Sequence, residues 1–311
     1  MTPFCSFIMK KTGKLVHLVH NPTAGDGRYS KKKIIELIRS HGYRCAYSSS
    51  KKRILKTIAP ETEFIVIAGG DGTIRKTVMR LLDKKLKYKR PIALLPFGTA
   101  NNIARSLRIP EDTAKNIGSW AGYHLKKFDV GQVTGMGKAA YFIESFGFGI
   151  FPRLMKDLKK MNTDHIDSAE GEFELALKTL MELTKSYEPA AFKIEIGDQV
   201  IEGKAIMIEV MNISGLGPKL KLSKDADSED GLFDVVIVTE KQRSKMEEYV
   251  LKKMALKDPV FPIKPIRTKQ LRIIWESEDV HGDDQVIEIK KSADLEISLL
   301  DSLLEMVTAS K

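Results

Sequence analysis

The stretch that most restricts the fold of this 311-residue chain is residues 64–68, Phe-Ile-Val-Ile-Ala, in which every side chain is apolar. An unbroken apolar run rich in β-branched residues is typical of a strand that is covered on both faces of a parallel sheet. An amphipathic segment follows at residues 74–85, where Ile74, Val78 and Leu81 share one helical face. We therefore expect a layered α/β domain, with helices packed on the sheet.

The same alternation of strand and helix extends over the first 130 residues. Apolar runs predict further strands at residues 15–19, 44–48 and 92–95. A helix is expected at residues 31–39, where the apolar positions make one face, and a short Lys-rich helix after residue 48.

The pattern changes after about residue 130 to segments in which apolar and polar residues alternate. These segments predict an antiparallel β-structure, which we interpret as a sandwich. Two helices interrupt it, at residues 169–185 and 244–257, and a Pro-rich extended connection follows at 258–265. The period-two segments are residues 191–196, 204–210, 233–239 and 271–275.

Composition narrows the class of protein further. The length suits two domains that each bury a core, and the formal net charge of +10 favours anionic partners such as phosphate, nucleic acid or an acidic membrane surface. Only two cysteines are present, too few for a disulfide framework, so we expect a reducing, cytoplasmic compartment. The sequence has neither an apolar run of membrane-spanning length nor the pattern of a signal peptide.

A glycine-rich loop stands between the buried strand and the helix at residues 74–85. At the carboxyl end of a parallel strand, glycines let backbone amides approach phosphate oxygens, and the next helix presents its positive end. A carboxylate would repel phosphate there unless a metal lay between them, so Asp71 indicates Mg²⁺ or a proton-accepting role. The alternative is a tight turn in which Asp71 caps a helix. The loop consists of Gly69, Gly70, Asp71, Gly72 and Thr73.

Two more glycine loops follow predicted strands, at residues 21–27 and 95–102, and Thr99 in the latter can cap the next helix. Because three such loops at the ends of consecutive strands would meet at one rim of the sheet, we expect a common binding site there. Neither the Walker A pattern nor a Gly-x-Gly-x-x-Gly helix start is present, which weakens two common kinds of nucleotide site.

Six motifs, in this order and spacing, resemble the diacylglycerol kinase catalytic-domain superfamily, which includes soluble bacterial lipid kinases and the sphingosine and ceramide kinases. They extend over nearly the whole chain. The motifs are Asn21-Pro22 with Gly25, Gly69-Gly70-Asp71-Gly72-Thr73, Pro96-Phe97-Gly98-Thr99-Ala100-Asn101, Phe128-Asp129-Val130-Gly131, Phe146-Gly147-Phe148-Gly149 and Asp230-Gly231-Leu232-Phe233-Asp234-Val235.

The resemblance implies an α/β nucleotide-binding domain at residues 1–130, similar to those of NAD kinases and diacylglycerol kinases, and a lipid-binding antiparallel β-sandwich at 131–299. The active site would lie between them, and the C-terminal strand, about 300–311, would return to the first domain. It also implies a metal position at Asp230 and the backbone of Leu232, with Asp227 as a third member; the plain alternative is a solvated acidic turn. The residues implied to bind ATP are Asn21, Ser48, Gly69, Gly70, Asp71, Gly72, Thr73, Gly98, Thr99 and Asn101.

The chain departs from the family pattern in three places. Arg75-Lys76 replaces the usual Asn-Glu, and Asn102 replaces an Asp. Where the family usually has Asp-Gly-Glu as its proton-accepting site, the chain has His281-Gly282-Asp283. We expect Asp71, His281 and Asp283 as catalytic residues, since imidazole and carboxylate can both accept a proton near neutral pH. A plain hairpin turn at Gly282 is the alternative.

These expectations describe an enzyme, a lipid kinase that uses ATP and Mg²⁺ to phosphorylate a hydroxyl of a diacylglycerol-like or other long-chain lipid. One alternative is a degenerate family member that binds nucleotide or phospholipid without turnover, and a more distant one is an NAD kinase. The expected partners are the lipid substrate and, transiently, an anionic membrane surface that the lysine runs would contact, which makes a peripheral membrane location an option. Nucleic acid is not expected, and a homodimer stays open.

Overall fold

The structure is a computed structural model that describes residues 13–25, 29–51, 58–161, 166, 168–217 and 220–310. The helix expected after residue 48 falls mainly on residues 52–57, outside the described residues. The first part of the chain forms parallel strands in the order β4-β3-β1-β2. These strands are β1 (Leu15–His20), β2 (Arg44–Ser49), β3 (Thr62–Gly69) and β4 (Ile92–Pro96).

Helices cover both faces of this sheet, as the uninterrupted burial of β3 from Phe64 onward requires. In the helix that follows β3, Ile74, Val78 and Leu81 face the core, so the predicted apolar stripe is confirmed. The helices are α1 (Lys31–Ser40), α2 (Asp71–Asp83), α3 (Asn102–Ser106) and α4 (Thr113–Ser119), with a 3₁₀ turn at Trp120–Gly122.

The second part is an antiparallel β-structure with three helices. The helices expected at 169–185 and 244–257 are present as α6 (Ala169–Ser186) and α7 (Arg243–Met254), whereas α5 (Ile150–Lys160) was not expected. A 3₁₀ turn (Glu240–Gln242) precedes α7. The strands are β5 (His124–Thr134), β6 (Ala140–Phe142), β7 (Ser145–Gly149), β8 (Ala190–Ile196), β9 (Gln199–Met211), β10 (Gly215–Leu216), β11 (Leu220–Lys221), β12 (Phe233–Thr239), β13 (Ile266–Thr268), β14 (Gln270–Trp275), β15 (Asp279–Gly282), β16 (Gln285–Glu288) and β17 (Ala293–Thr308).

The long strand β17 connects the two parts. It pairs antiparallel with β14 and β5, and at Met306 it pairs parallel with Ile92 of β4. The continuous sheet runs in the order β16-β15-β7-β9-β8-β14-β17-β4-β3-β1-β2. The proposed boundaries at residues 130 and 300 fall within β5 and β17, so these two strands are common to both parts. We propose that one domain consists of residues 1–130 together with 300–311, and the other of residues 131–299.

The buried carboxylate of Asp129 stabilises the contact between β5 and β17. It accepts hydrogen bonds from the backbone amides of Ser302, at 2.6 Å, and Gly231, at 3.0 Å. Burial raises the pKa of Asp129, and these two amides oppose that effect. Asp129 therefore ties β5 to β17 and to the loop before β12, a positional role rather than a chemical one.

Candidate active site

The three glycine loops lie side by side at the carboxyl ends of β1, β3 and β4. Gly70 and Gly98 are in backbone contact, and a Cβ on Gly70 would lie 2.9 Å from Cα of Gly98. A Cβ on Gly25 would lie 3.2 Å from Cβ of Phe97. The Asn21 side chain approaches the Thr73 hydroxyl at 3.4 Å. The loops thus form one rim where side chains are excluded between the backbones, and the first amides of α2 open onto it.

Within this rim, the Asn101 side chain closes its own loop. Its amide oxygen accepts from the Gly98 amide at 2.8 Å, and its amide nitrogen donates to the Gly98 carbonyl at 2.7 Å. Asn101 has a left-handed backbone, with φ of 52°, and caps α3 without a side-chain bond. The expectation that Thr99 caps this helix was wrong. The hydroxyl of Ser48, near the end of β2, is hydrogen-bonded to His17 Nε2 at 2.8 Å.

Asp71 is the first residue of α2, but its carboxylate serves the neighbouring helix. It accepts hydrogen bonds from the amides of Asn102, at 2.9 Å, and Ile103, at 3.2 Å, at the start of α3. Burial raises the pKa of Asp71, the two amides oppose the rise, and the nearby Asp284 adds to it. These hydrogen bonds therefore hold the loop at residues 69–73 against the loop at residues 95–102.

A cavity of about 400 Å³ opens beside Asp71 and extends between α5 and α6. One end is acidic and polar, and the other is walled by apolar side chains of the two helices and of β10. The lining residues are Asp71, Thr99, Ala100, Asn102, Glu144, Phe151, Leu154, Met155, Leu158, Glu172, Phe173, Ala176, Leu216, Gly217, His281, Asp283 and Asp284.

Four carboxylates gather at the polar end, and one guanidinium partly balances them. Arg75 Nε lies 3.5 Å from both Asp283 Oδ2 and Asp284 Oδ1, so the cation that replaces the family's Asn holds the two acids of the β15–β16 turn. Asp284 packs directly on the glycine loop, since a Cβ on Gly72 would lie 2.7 Å from its Oδ2. Lys76, by contrast, is exposed.

The buried Asp283 carboxylate rests in a nest of main-chain amides. Oδ1 accepts from Glu144, at 2.7 Å, and from Ile143 and Ser145. Burial raises its pKa to about 6, while the amides and Arg75 favour the ionised form and limit the rise. Asp283 has a left-handed backbone, with φ of 51°, that turns its side chain back toward these amides.

Glu144 lies behind this cluster, in surroundings that disfavour a negative charge. Burial, together with the charges of Asp71, Asp283 and Asp284, raises its pKa well above the ordinary range, while a hydrogen bond from Asn102 works in the opposite direction. Its surroundings therefore disfavour the ionised form of Glu144.

His281 is fully buried, and acceptors face both of its ring nitrogens. Nδ1 lies 2.9 Å from the carbonyl oxygen of Asp283, and Nε2 lies 3.0 Å from Glu209 Oε1. Burial lowers the pKa of His281, but the Glu209 carboxylate and the Asp283 carbonyl outweigh burial, so the net shift is upward. Acceptors at both ring nitrogens favour an N–H on each, which is the imidazolium form, and both nitrogens are already engaged. We therefore propose that His281 supports the Asp283 turn instead of accepting a proton.

The residues expected to hold a metal are engaged with cations instead. Arg267 forms a short ion pair with Asp230 Oδ2, and Leu232 donates its amide to Oδ1. Lys126 lies 2.7 Å from Asp227 Oδ1. As placed, this group does not fit a divalent ion. No cluster of three or more His, Cys, Asp or Glu suited to a metal occurs in the described part of the chain.

Sequence reasoning missed the residues that complete the site, namely Glu144, Glu209, Asp284 and the apolar face of α5. Only α5 carried a local signal, since Ile150, Leu154 and Leu158 stand at helical spacing. The acids are far apart in sequence and meet only because β7, β9 and β15 are neighbours in the sheet.

The fold and the site define a class of two-domain proteins, in which an α/β layer with glycine loops and an antiparallel β-sandwich share one cleft. Residues 15–133 match the family described as the diacylglycerol kinase catalytic domain. Residues 158–257 match the YegS C-terminal NAD kinase beta sandwich-like domain. The chain belongs to the diacylglycerol kinase catalytic-domain superfamily, as its motifs indicated, and the expected two-domain fold is confirmed.

Known relatives agree with this assignment. The diacylglycerol kinase of Bacillus subtilis is 28% identical over 250 residues, which cover 76% of this chain and 77% of the relative. The diacylglycerol kinase of Staphylococcus saprophyticus is 24% identical, and the alignment covers 72% of this chain and 73% of that relative. A crystal structure of a diacylglycerol kinase from Bacillus anthracis aligns with a TM-score of 0.69, at 19% identity, over 96% of this chain and 97% of that one.

Proposed function

We propose that this protein is an ATP-dependent lipid kinase that phosphorylates a hydroxyl of a diacylglycerol-like or other long-chain lipid. The observation that carries the proposal is the cavity, because its apolar end between α5 and α6 suits an acyl chain while its acidic end adjoins the glycine loops. Relatives named diacylglycerol kinase support the same reading. Lipid and nucleotide would thus meet at Asp71, Asp283 and Asp284.

In the proposed reaction the lipid hydroxyl oxygen attacks the γ-phosphorus, the bond to the β,γ-bridging oxygen breaks, and ADP leaves. The hydroxyl proton passes to Asp283, whose pKa of about 6 leaves it ionised at neutral pH. Gly69, Gly70, Gly72, Thr73, Gly98, Thr99 and Asn21 would surround the phosphates. Arg75 supplies positive charge beside them.

Mg²⁺ would neutralise phosphate charge in this reaction. An ion that arrives with ATP needs only one or two protein carboxylates, because phosphates and water complete its shell. Asp284, exposed beside Gly72, and Asp71 are the carboxylates that fit this task better than Asp227 and Asp230.

We propose the cytoplasm, next to membranes, as the place of action. Cys45 is a free thiol, and burial raises its pKa to about 11, which suits an unreactive, half-buried cysteine in a reducing compartment. In the described part of the chain, no helix has the length and apolarity to cross a bilayer.

One observation favours a second candidate, a non-catalytic protein that binds nucleotide or phospholipid. The Asp283 carboxylate already has three amide donors and Arg75 around it. If these contacts persist with ligands bound, the lipid hydroxyl has to compete with them for the carboxylate.

The deciding experiment incubates the protein with radiolabelled ATP, Mg²⁺ and a panel of lipids dispersed in detergent. We expect label in at least one long-chain alcohol, and loss of that label in Leu154→Trp, which fills the apolar end of the cavity. The exposed change Val200→Trp, on β9, is the matched control. ATP binding by calorimetry without labelled lipid would establish the non-catalytic form, and no ATP binding at millimolar nucleotide would refute both.

A further inference from the structure

Large apolar side chains are displayed together at the end of α7 and just after it. Leu251, Met254, Leu256 and Val260 are exposed by 57%, 37%, 88% and 70%. We call residues 251–260 the apolar tip. Elsewhere in the described residues, exposed large apolar side chains occur singly. They are Leu125, Met161 and Val200.

Leu256 occupies a position that normally suits glycine. It follows the C-cap of α7 with a φ of +55°, and its amide donates to the Lys253 carbonyl at 3.0 Å. The Lys257 amide donates to the Lys252 carbonyl at 3.0 Å, which completes a Schellman motif. A leucine is strained in this conformation, and its side chain stands in water rather than in the core. The end of the helix therefore gains nothing from this side chain.

Positive charge surrounds the apolar tip. Residues 241–264 contain seven Lys and Arg against three Asp and Glu. Lys257 and Lys264 are exposed, and Lys252 pairs with Glu248 at 2.5 Å on the surface of α7. Apolar side chains within a basic surface suit an anionic bilayer, where the former enter the acyl boundary and the lysines stay at the phosphates. The same excess charge would repel a second copy of this chain.

The apolar tip lies close to the cavity. Asp258 is joined to Lys221 of β11 at 2.8 Å, and β11 pairs with β10, whose Leu216 lines the cavity. On its other side, α7 packs against α6, which supplies Phe173 and Ala176 to the cavity wall. One two-stranded sheet and one helix thus separate the apolar tip from the cavity.

We propose that the apolar tip docks the protein on an anionic lipid bilayer, with Leu256 and Val260 inserted and Lys257 and Lys264 against the headgroups. The purpose of this contact rests on the proposed lipid-kinase function, because a substrate with long acyl chains has to be taken from a bilayer. The docking itself is measurable without any phosphoryl transfer.

The test is co-sedimentation of the full chain with vesicles of equal parts phosphatidylglycerol and phosphatidylcholine, and with vesicles of phosphatidylcholine alone. We expect binding to the anionic vesicles that weakens with salt. Leu256→Gly should reduce the partition coefficient about tenfold while its melting temperature stays equal or rises, since glycine suits the left-handed position. The double variant Lys257→Gln with Lys264→Gln should bind the anionic vesicles less well, and its binding to phosphatidylcholine vesicles should not change. Val200→Ser, an exposed apolar site on β9, is the matched control and should bind as the native chain does.

Equal vesicle binding by the native chain and Leu256→Gly, or no binding by the native chain, would overturn the docking proposal. So would a native dimer in light scattering that Leu256→Gly converts to a monomer without affecting vesicle binding. Docking without lipid phosphorylation would leave the apolar tip supported and refute the kinase. Phosphorylation of detergent-dispersed lipid without vesicle binding would do the reverse.

Discussion

Glu209 and His281 meet directly above Gly147, on the two strands that flank it. Gly147 of β7 pairs with Glu209 of β9 on one side and with His281 of β15 on the other. His281 Nε2 lies 3.0 Å from Glu209 Oε1, and a Cβ on Gly147 would lie 2.1 Å from that oxygen. Because Gly147 has no side chain, Glu209 and His281 can contact each other across β7. This ion pair supports the turn that carries Asp283.

The ion pair should make stability depend on pH through His281. Its pKa in the folded state is raised, so its stabilising contribution is complete below the unfolded value near 6.5 and disappears as pH rises through the folded value. Glu209→Gln should cost about 3 kcal/mol at pH 6 and clearly less at pH 9, where a neutral ring can accept a hydrogen bond from the Gln amide. Urea unfolding at both pH values measures this, with the exposed Glu288→Gln as control. An equal cost at both values would contradict the assigned imidazolium.

A methyl group at residue 147 should disrupt this pair. Gly147→Ala should lower the free energy of unfolding by about 2 kcal/mol or more, because the new Cβ overlaps the Glu209 carboxylate. Gly118→Ala in α4 is the matched control, since its Cβ would meet only ordinary contacts at 3.7 Å. Adding Glu209→Ala to Gly147→Ala should recover part of the loss, which a double-mutant cycle would reveal as a non-additive term. Additive costs would count against the proposed contact across β7.

Rebuilding the family motif at residue 281 should fail by itself. His281→Asp places a second carboxylate against Glu209 in a buried site, so we expect a loss of about 3 kcal/mol or more. Adding Glu209→Gln should restore most of the melting temperature. Lipid phosphorylation should therefore be compared in the triple variant with Asp283→Glu, not in His281→Asp alone. A stable His281→Asp protein would show that Glu209 is no obstacle.

Replacing Asp71 should separate its structural role from its chemical one. Asp71→Asn keeps one acceptor for the α3 amides, so we expect a loss of about 1 kcal/mol in stability together with a loss of 10²-fold or more in lipid phosphorylation. Asp112→Asn is the control, because Asp112 caps α4 through the Lys115 amide at 2.7 Å and does not line the cavity. It should show a similar stability loss with unchanged turnover. Equal activity losses in both variants would mean that Asp71 acts through the fold alone.

The rate of lipid phosphorylation should fall as pH drops through about 6. As the proposed base, Asp283 would accept the hydroxyl proton only when ionised, and its pKa of about 6 places its protonation there. Asp283→Asn should be inactive at every pH, whereas Arg75→Gln should move the midpoint upward, because Arg75 favours the ionised carboxylate. The pH profile of turnover with detergent-dispersed lipid tests both. A flat profile between pH 5 and 7 would exclude Asp283 as the base.

The sequence by itself determined the two-layer organisation and the place of the glycine loops. The unbroken apolar run of β3 requires cover on both faces, and the period-two segments such as residues 233–239 require one covered face, so these patterns fix the element types locally. Glycine loops after successive parallel strands meet at one rim by topology, which is why Gly25, Gly70 and Gly98 could be placed together in advance.

The roles of the acidic residues were decided by tertiary structure. In sequence, His281 stood where a base was expected, and Asp227 and Asp230 stood where a metal was expected. The neighbours that changed these roles, Glu209, Lys126 and Arg267, come from distant strands or pair across them. Proton affinity depends on burial and on charges within a few ångströms, and these distances exist only once β7, β9 and β15 lie side by side. Residue type therefore supplied the candidates, while strand order decided which charges and hydrogen-bond partners surround each of them.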